Sequence, residues 1–438
     1  MCLYMVLNML KSPPMEPRII AITLFILAYV LFVVLPAKRT IVAVAASLLV
    51  VLTGTITLKQ SFFAINWNVM GIFVGTLVVA DIFMESRVPA WLAEVIVNKA
   101  KNTTWAILLI CLLTGIISAL VENVATVLIV APIALALAKK LDINPMNMMI
   151  GIVISSNLQG CATLIGDPPS MLLGGYAKMT FWDFFFYNGK PSIFFAVELG
   201  ALASLAVLYF VFRKHRQKTN LIAVEKVKSW IPTILLVLLI VALAMSSFFD
   251  TGFSYAAGII CMVFGILSLL WGKYVNRVAI IKSIKSLDWD TTFFLIGVFV
   301  LVGSVTLTGW IETISETLSS MVGTNIFLGY TLLVFIAMFV SAFVDNVPFL
   351  AAMLPVAIAM GEKLNIDPSL LLFGLLIGAS LGGNITPIGA AANIVGCGLL
   401  KKEGYNVRFR DFVKIGLPFT LVAVGAAYIF VWLVWKPN

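Results

Sequence analysis

The feature that most constrains this chain is that its sequence is written twice. Val121-Glu122-Asn123-Val124 recurs 223 residues later as Val344-Asp345-Asn346-Val347. Pro132 then matches Pro355, and Lys140-Leu141-Asp142-Ile143-Asn144-Pro145 matches Lys363-Leu364-Asn365-Ile366-Asp367-Pro368. Ten of the 25 positions in this window are identical, and they include turn and polar residues that a shared apolar bias would not align. Gly160, Thr163, Ile165 and Gly166 fall on Gly383, Thr386, Ile388 and Gly389, while upstream Trp67 and Gly75 fall on Trp289 and Gly297 at an offset of 222. Two halves of this kind must fold alike, and each must find a place for the same apolar faces.

Composition decides in what solvent they do so. Of 438 residues, 61% are hydrophobic and 11% charged, against about 45–50% and about 25% in soluble globular chains. Folding alone cannot hide that much apolar surface from water, so lipid must be the solvent. A cytosolic enzyme, a secreted domain and a nucleic-acid-binding module are thereby excluded. A helix needs about 20 apolar residues to cross a hydrocarbon core of about 30 Å. Uninterrupted spans are predicted at 19–35, 40–58, 69–85, 191–212, 230–248, 253–271, 290–305 and 415–435. Apolar stretches broken by polar and glycine-rich patches lie at 104–138, 147–178, 325–361 and 369–402. The chain divides into an N-terminal segment (1–18), a first repeat (19–212), a basic linker (213–229) and a second repeat (230–438). The opening MCLYMVLNML is too short to span and lacks a basic start and a cleavage site, so no signal peptide is expected.

The predicted fold is an all-α polytopic membrane protein made of two inverted-topology repeats. Each has three spans, a re-entrant helical hairpin, a broken helix and a final span. Five crossings per half is an odd number, so the halves must face opposite ways. With the basic linker on the cytoplasmic side, 22 of the 29 Lys and Arg residues fall inside and 7 outside, as the positive-inside tendency requires. The net charge of +9 is therefore an orientation signal rather than an affinity for nucleic acid. A multi-pass protein of a prokaryotic inner (plasma) membrane is the expectation. Segment 88–100, anchored by Asp81, Glu85 and Arg87, reads as an amphipathic arm mirrored by 309–321.

Inverted repeats with paired, interrupted apolar segments are the pattern of secondary transporters, whose substrate sits where the breaks meet. Irregular backbone at membrane depth is tolerated only inside protein or around a polar cavity, and half-helix N-termini there offer N–H groups and partial positive charge. The hairpin tips are Glu122-Asn123-Val124-Ala125-Thr126 and Asp345-Asn346-Val347-Pro348. The breaks are Ser155-Ser156-Asn157-Leu158-Gln159-Gly160-Cys161-Ala162-Thr163 through Ser170, and Ser380-Leu381-Gly382-Gly383-Asn384-Ile385-Thr386-Pro387-Ile388-Gly389 through Asn393. Candidate substrate ligands are Asn123, Thr126, Asn157, Thr163, Ser170, Asn346, Ser380, Asn384, Thr386 and Asn393. Candidate coupling-ion residues are Glu122, Asp167 and Asp345, with Gly160 and Gly383. A carboxylate at bilayer centre costs roughly 2.5–3.5 kcal/mol on insertion scales, so a functional reading is the default. The competing reading places the tips at the interface, merely solvated. No catalytic residue, cofactor or metal is assigned beyond bound Na⁺. The five cysteines, Cys2, Cys111, Cys161, Cys261 and Cys397, are dispersed, and His215 is the single histidine, so neither a Cys/His zinc site nor a Ser-His-Asp triad can be built. Gly166-Asp167 has Ala390 where a partner aspartate would stand, which argues against an intramembrane aspartyl protease.

These motifs resemble the ion-transporter superfamily that includes arsenite-efflux permeases, NhaD-type Na⁺/H⁺ antiporters, the melanosomal P protein and citrate or dicarboxylate carriers. Asn123-Val124-Ala125-Thr126, Ala162-Thr163-Leu164-Ile165-Gly166-Asp167-Pro168-Pro169-Ser170, Phe343-Val344-Asp345-Asn346-Val347-Pro348 and Leu381-Gly382-Gly383-Asn384 are most similar to the arsenite-permease and P-protein branch. The resemblance covers nearly the whole chain and implies a scaffold domain, a moving transport domain, a homodimer and an elevator-like mechanism. One departure bears on substrate. Dicarboxylate carriers have Ser-Asn-Thr at each tip, whereas here Glu122 and Asp345 replace Ser, and Val124 and Val347 replace Thr. A fixed carboxylate repels a polyanion unless it is protonated or cation-bound. The expected function is cation-coupled (H⁺ or Na⁺) transport of a small anion, oxyanion or metalloid. Na⁺/H⁺ antiport without an anion, and di- or tricarboxylate transport, remain as alternatives.

Overall fold

The computed structural model describes residues 16–214, 226–274, 280–323 and 325–437. His215, Cys2, most of the basic linker and all but the end of segment 1–18 lie outside the described residues. The first repeat contains α1 (Pro17–Val34), α2 (Arg39–Leu52), α3 (Leu58–Ala64), α4 (Trp67–Glu85), α5 (Val88–Lys99), α6 (Thr103–Ser118), α7 (Asn123–Leu141), α8 (Met146–Gly160), α9 (Pro168–Ala177) and α10 (Ile193–Phe212). The second contains α11 (Ile231–Ser246), α12 (Ala256–Tyr274), α13 (Ile280–Ser286), α14 (Trp289–Leu307), α15 (Trp310–Val322), α16 (Ile326–Ser341), α17 (Asn346–Lys363), α18 (Ser369–Gly382), α19 (Ala391–Lys402) and α20 (Phe409–Trp435). The chain is therefore helical and built for a membrane. By length and composition, seven helices among the described residues can cross one: α1, α4, α7, α10, α12, α14 and α20. A two-residue antiparallel ribbon, β1 (Phe186–Tyr187) with β2 (Lys190–Pro191), is the exception. It turns at Asn188-Gly189, both at positive φ, as a tight hairpin requires.

The duplication is visible element by element. The short helices α3 and α13, which hydropathy did not reveal, occupy the same place in the two repeats, just before α4 and α14. Left-handed residues recur at Arg87 and Gly309, and at Asp142 and Asn365. Pro132 and Pro355 sit inside α7 and α17, where each removes one intrahelical N–H.

The predicted span 40–58 is divided. Thr53 turns its hydroxyl onto the carbonyls of Leu49 and Val50, Gly54 adopts φ +73°, and Thr57 opens α3 through a capping box with Gln60. What remains of α2 has 14 residues, about 21 Å at the helical rise, which is short of a bilayer core. The expected arms appear as α5 and α15. Cys111, Cys161 and Cys261 are buried free thiols and Cys397 is half-buried, in keeping with small apolar residues.

Two compact units emerge, and neither follows the repeats. One runs to Asn66 and adds Trp289–Leu318; the other comprises Trp67–Asp288 and the chain from Ser319 onward. In the first, α2 packs on α14, where a Cβ at Gly297 would lie 2.8 Å from Ala43. In the second, α4 packs on α12, where a Cβ at Gly75 would collide with the backbone of Cys261. Each contact joins one helix from either repeat, and the glycines on the two are duplicates of each other.

Candidate functional site

Hairpin tips and breaks all lie within the second unit. The first hairpin is α6 and α7, the first broken helix α8 and α9; their counterparts are α16 with α17, and α18 with α19. The half-helices are exchanged between repeats. α9 packs on α17 and α18, while α19 packs on α7 and α8. The breaks are thereby wedged against each other's hairpins.

Each break is tied to its own hairpin by the same bond. Thr163 donates its hydroxyl to the carbonyl of Ala119, and Thr386 donates to Ala342, the residues ending α6 and α16. Within each break two glycines meet. A Cβ on Gly166 would strike the Gly160 carbonyl, and one on Gly389 would lie 2.6 Å from the Gly383 carbonyl. Gly160 also abuts the Asn123 carboxamide. That carboxamide accepts from Ser118 Oγ at 2.6 Å, and Ser118 and Ser156 hydroxyls are 2.8 Å apart. Ser118 lies outside every motif read from the sequence, and Ser156, though part of the first break, is not among the candidate ligands. In the second repeat Ser341 and Ala379 stand in their places, and Ser341 Oγ is buried without a hydrogen-bond partner.

The breaks meet through Asn157. Its Nδ2 donates to Asn384 Oδ1 at 3.0 Å and to Asn393 Oδ1 at 2.7 Å. Asn393 in turn donates to the carbonyls of Gly383 and Thr386 at 2.9 and 2.8 Å. Three asparagines from both breaks thus form one network in which all are buried. The network is incomplete: Asn384 Nδ2 has no hydrogen-bond partner, nor has the buried Ser380 Oγ, which lies beside the Cys161 thiol. A buried donor left open in this way costs of order 1–3 kcal/mol, and in a native protein calls for an explanation such as a ligand or ion.

The acids have a different geometry. All three are N-caps. Glu122 accepts from the Ala125 N–H at 2.9 Å at the start of α7, and Asp345 accepts from the Val347 N–H at 3.0 Å at the start of α17. Asp167 accepts from the Ser170 N–H at 3.0 Å in a capping box that opens α9. Its second oxygen, Oδ2, is buried and unpartnered, although Asn123 approaches the same carboxylate. Three of the four half-helix N-termini are therefore covered by a carboxylate. The fourth, at Ala390 before α19, has no side-chain cap.

The predicted residues fall into three groups, with Thr126 apart. Asn157, Ser380, Asn384, Thr386, Asn393 and Gly383 are gathered where the breaks meet. Asn123, Gly160, Asp167, Thr163 and Ser170 cluster around the first tip and break. Thr126 is buried but bonds the carbonyls of Val121 and Glu122, so its hydroxyl is occupied by its own helix. Glu122, Asn346 and Asp345 are half-buried at the tips. Among the described residues no three His, Cys, Asp or Glu converge on a metal-sized position.

The family model for citrate transporters matches residues 29–361 and 256–437. A Mycobacterium tuberculosis protein described as an uncharacterized transporter is 28% identical over 431 residues, covering 95% of this chain and 98% of its own. The P protein of Sus scrofa is 24% identical over 492 residues, covering 92% of this chain and 58% of its own. Among solved structures, the YdaH transporter of Alcanivorax borkumensis superposes with a TM-score of 0.59 at 12% identity, covering 96% of this chain and 98% of that one. That likeness concerns the fold. Relatives from Mycobacterium and Synechocystis are described as uncharacterized transporters, and this chain is a multi-pass protein of the plasma membrane.

Proposed function

The chain belongs to the citrate transporter family of membrane transporters, and from that premise we propose that it is a cation-coupled secondary transporter of a small anion, oxyanion or metalloid. One observation carries the reading. Asn384, its carboxamide oxygen engaged by Asn157, leaves Nδ2 unpartnered in the buried network where both breaks converge. An unpartnered N–H donor, with a serine hydroxyl on the same break, is suited to an anionic or hydroxylic oxygen. The substrate would close the network that joins the repeats, and alternating access by an elevator-like movement would carry it across. H⁺ or Na⁺ is assigned to the carboxylates, with Asp167 Oδ2 the acceptor left open. A small ligand is favoured over a citrate-sized polyanion, because three fixed carboxylates already cover helix N-termini that would otherwise attract it.

A second reading, Na⁺/H⁺ antiport with no anion, draws on that same carboxylate capping. Di- or tricarboxylate transport draws on the family's description. Flux into proteoliposomes separates them: each candidate anion is offered with and without a Na⁺ or pH gradient. Sodium-driven proton movement with no anion present would overturn the anion reading. Asp345→Asn is the informative variant. Asn caps a helix about as well as Asp, so folding should survive to within about 0.5 kcal/mol while ion coupling is lost. Coupled transport at the wild-type rate would remove Asp345 from the mechanism and leave it as a cap. A homodimer is expected, to be tested by mass in nanodiscs.

A further inference from the structure

One intramembrane carboxylate is outside everything described so far. Glu198 lies six residues into α10, the apolar helix IFFAVELGALASLAVLYFVF, and is half-buried. Ionisable groups in such positions are costly and by default functional. α10 packs against α20, α6 and α8. α8 brings Gln159 beside its carboxylate and, with Ser155, onto the same cavity as Ala201 and Ser204 of α10. α6 contributes Cys111, which lies beside Ser155 on the same cavity. α20 runs alongside with its Ala423 carbonyl against Gly200 and its Trp435 indole on the Pro191 carbonyl. Between Gly416 and Trp435 the only titratable residue of α20 is Tyr428, which is turned onto Thr331. Among the described residues, these elements bring no basic side chain to neutralise Glu198.

Gln159 explains how the carboxyl can be satisfied. It is 5% exposed, and its Oε1 has no hydrogen-bond partner. An ionised Glu198 can only accept, so it would take the amide N–H and leave Oε1 without a donor. A protonated Glu198 brings the O–H that Oε1 lacks. The neutral acid completes the pair, and the proton is its ligand. A cavity of about 20 Å³ lies on the Gln159 side, lined by Gln159, Ser155, Gly115, Ala201 and Ser204, and can admit one water.

The second repeat handles the same position with no polar group. Gln159 leans on Gly115, where a Cβ would lie 2.8 Å from its Cγ, whereas the duplicate pair is Met338 with Gly382. Large and small have exchanged sides, so packing alone does not require a glutamine. Gln159 also directly precedes Gly160, which is pressed against Asn123 at the hairpin tip.

We propose that Glu198 is a proton-carrying site of this transporter, linked to the first break through Gln159. Loss of the proton obliges the Gln159 amide to present N–H rather than Oε1, and that reorientation reaches Gly160 and the Asn157 network. The proposal rests on the cation-coupled reading above for its role in transport, but not for the protonation itself.

Two measurements test the two parts. The first is pH-difference infrared spectroscopy of the purified protein in lipid nanodiscs, with no substrate. A carboxylic-acid C=O band that titrates should be lost in Glu198→Gln, shifted in Gln159→Leu and retained in Asp345→Asn. A spectrum of folded Glu198→Gln identical to wild type overturns the proposal, as does a band unmoved in Gln159→Leu. The second is proton flux in proteoliposomes with an entrapped pH dye. Glu198→Gln should abolish substrate-linked proton movement and Glu198→Asp should restore it. If wild type transports solute with no proton movement, the proton site loses its role while the transporter reading stands. If wild type moves no candidate solute yet the Glu198 band titrates, the converse holds.

Discussion

Replacing Asn157 by Leu and combining it with Asn393→Leu tests whether the bonded network between the breaks holds the two repeats together. In the single variant, Asn384 Oδ1 and Asn393 Oδ1 both lose their donor, since the 3.0 and 2.7 Å bonds use both N–H groups of one amide. In water-soluble interiors an orphaned acceptor costs about 1–3 kcal/mol, which for two would reach about 2–6 kcal/mol. Polar contacts between membrane helices measure less, averaging about 0.6 and reaching about 1.7 kcal/mol, because the unfolded chain in lipid also finds partners. The expected loss for Asn157→Leu is accordingly about 1–3 kcal/mol. Asn157→Asp should cost more, since it turns a double donor into an acceptor facing two oxygens. The decisive quantity is the coupling in the double-mutant cycle, read from equilibrium unfolding in mixed micelles. It should be about 0.6–1.7 kcal/mol, above the limit of about 0.3–0.5 kcal/mol within which unconnected sites add. A coupling below about 0.3 kcal/mol refutes the claim that Asn157 and Asn393 join the repeats energetically. Transport that survives both single substitutions would remove the network from the substrate site.

Gly166→Ala places a Cβ against the Gly160 carbonyl, with the Ser118 carbonyl 2.9 Å away, and should cost at least the about 1–3 kcal/mol typical of overpacking; monodisperse yield after detergent extraction should fall. Gly398→Ala, on exposed helix surface with nothing within 4 Å, is the control and should extract as wild type. Partial burial raises the carboxyl of Asp250, in the loop before α12, but the backbone N–H groups of Ser254, Ala256 and Tyr255 together outweigh it and hold it below the ordinary 3.8. A lowered folded value stabilises above the unfolded value and is lost as pH falls through the folded one. The thermal-stability gap between wild type and Asp250→Ala should therefore be full at neutral pH and close below about pH 4; a gap unchanged by acid would refute the capping role.

Much of the architecture was legible because it depends on local chemistry. Breaks appear where Gly, Pro and Asn interrupt apolar runs, and hairpin tips where an acid and Asn precede a new helix. The short helix α3 was not legible, since a capping box and a single left-handed glycine carry little hydropathy signal. Nor was the dual character of the acids. Glu122, Asp167 and Asp345 stand out as rare charges, yet each spends at least one oxygen on backbone N–H groups two or three residues ahead, a geometry that a charge pattern does not reveal.

Sequence by itself determined that the chain belongs in lipid, that it is duplicated, and which residue types lie in the breaks. All of these follow from composition and periodicity. Only tertiary structure decided which polar atoms are satisfied. Asn157 finds partners 227 and 236 residues away, Asn384 is left with an open donor, and Glu198, one acid in an apolar helix, acquires Gln159 as its neighbour. Such pairings depend on how distant helices are brought into register, and no local feature of the chain encodes which donor will be left without an acceptor.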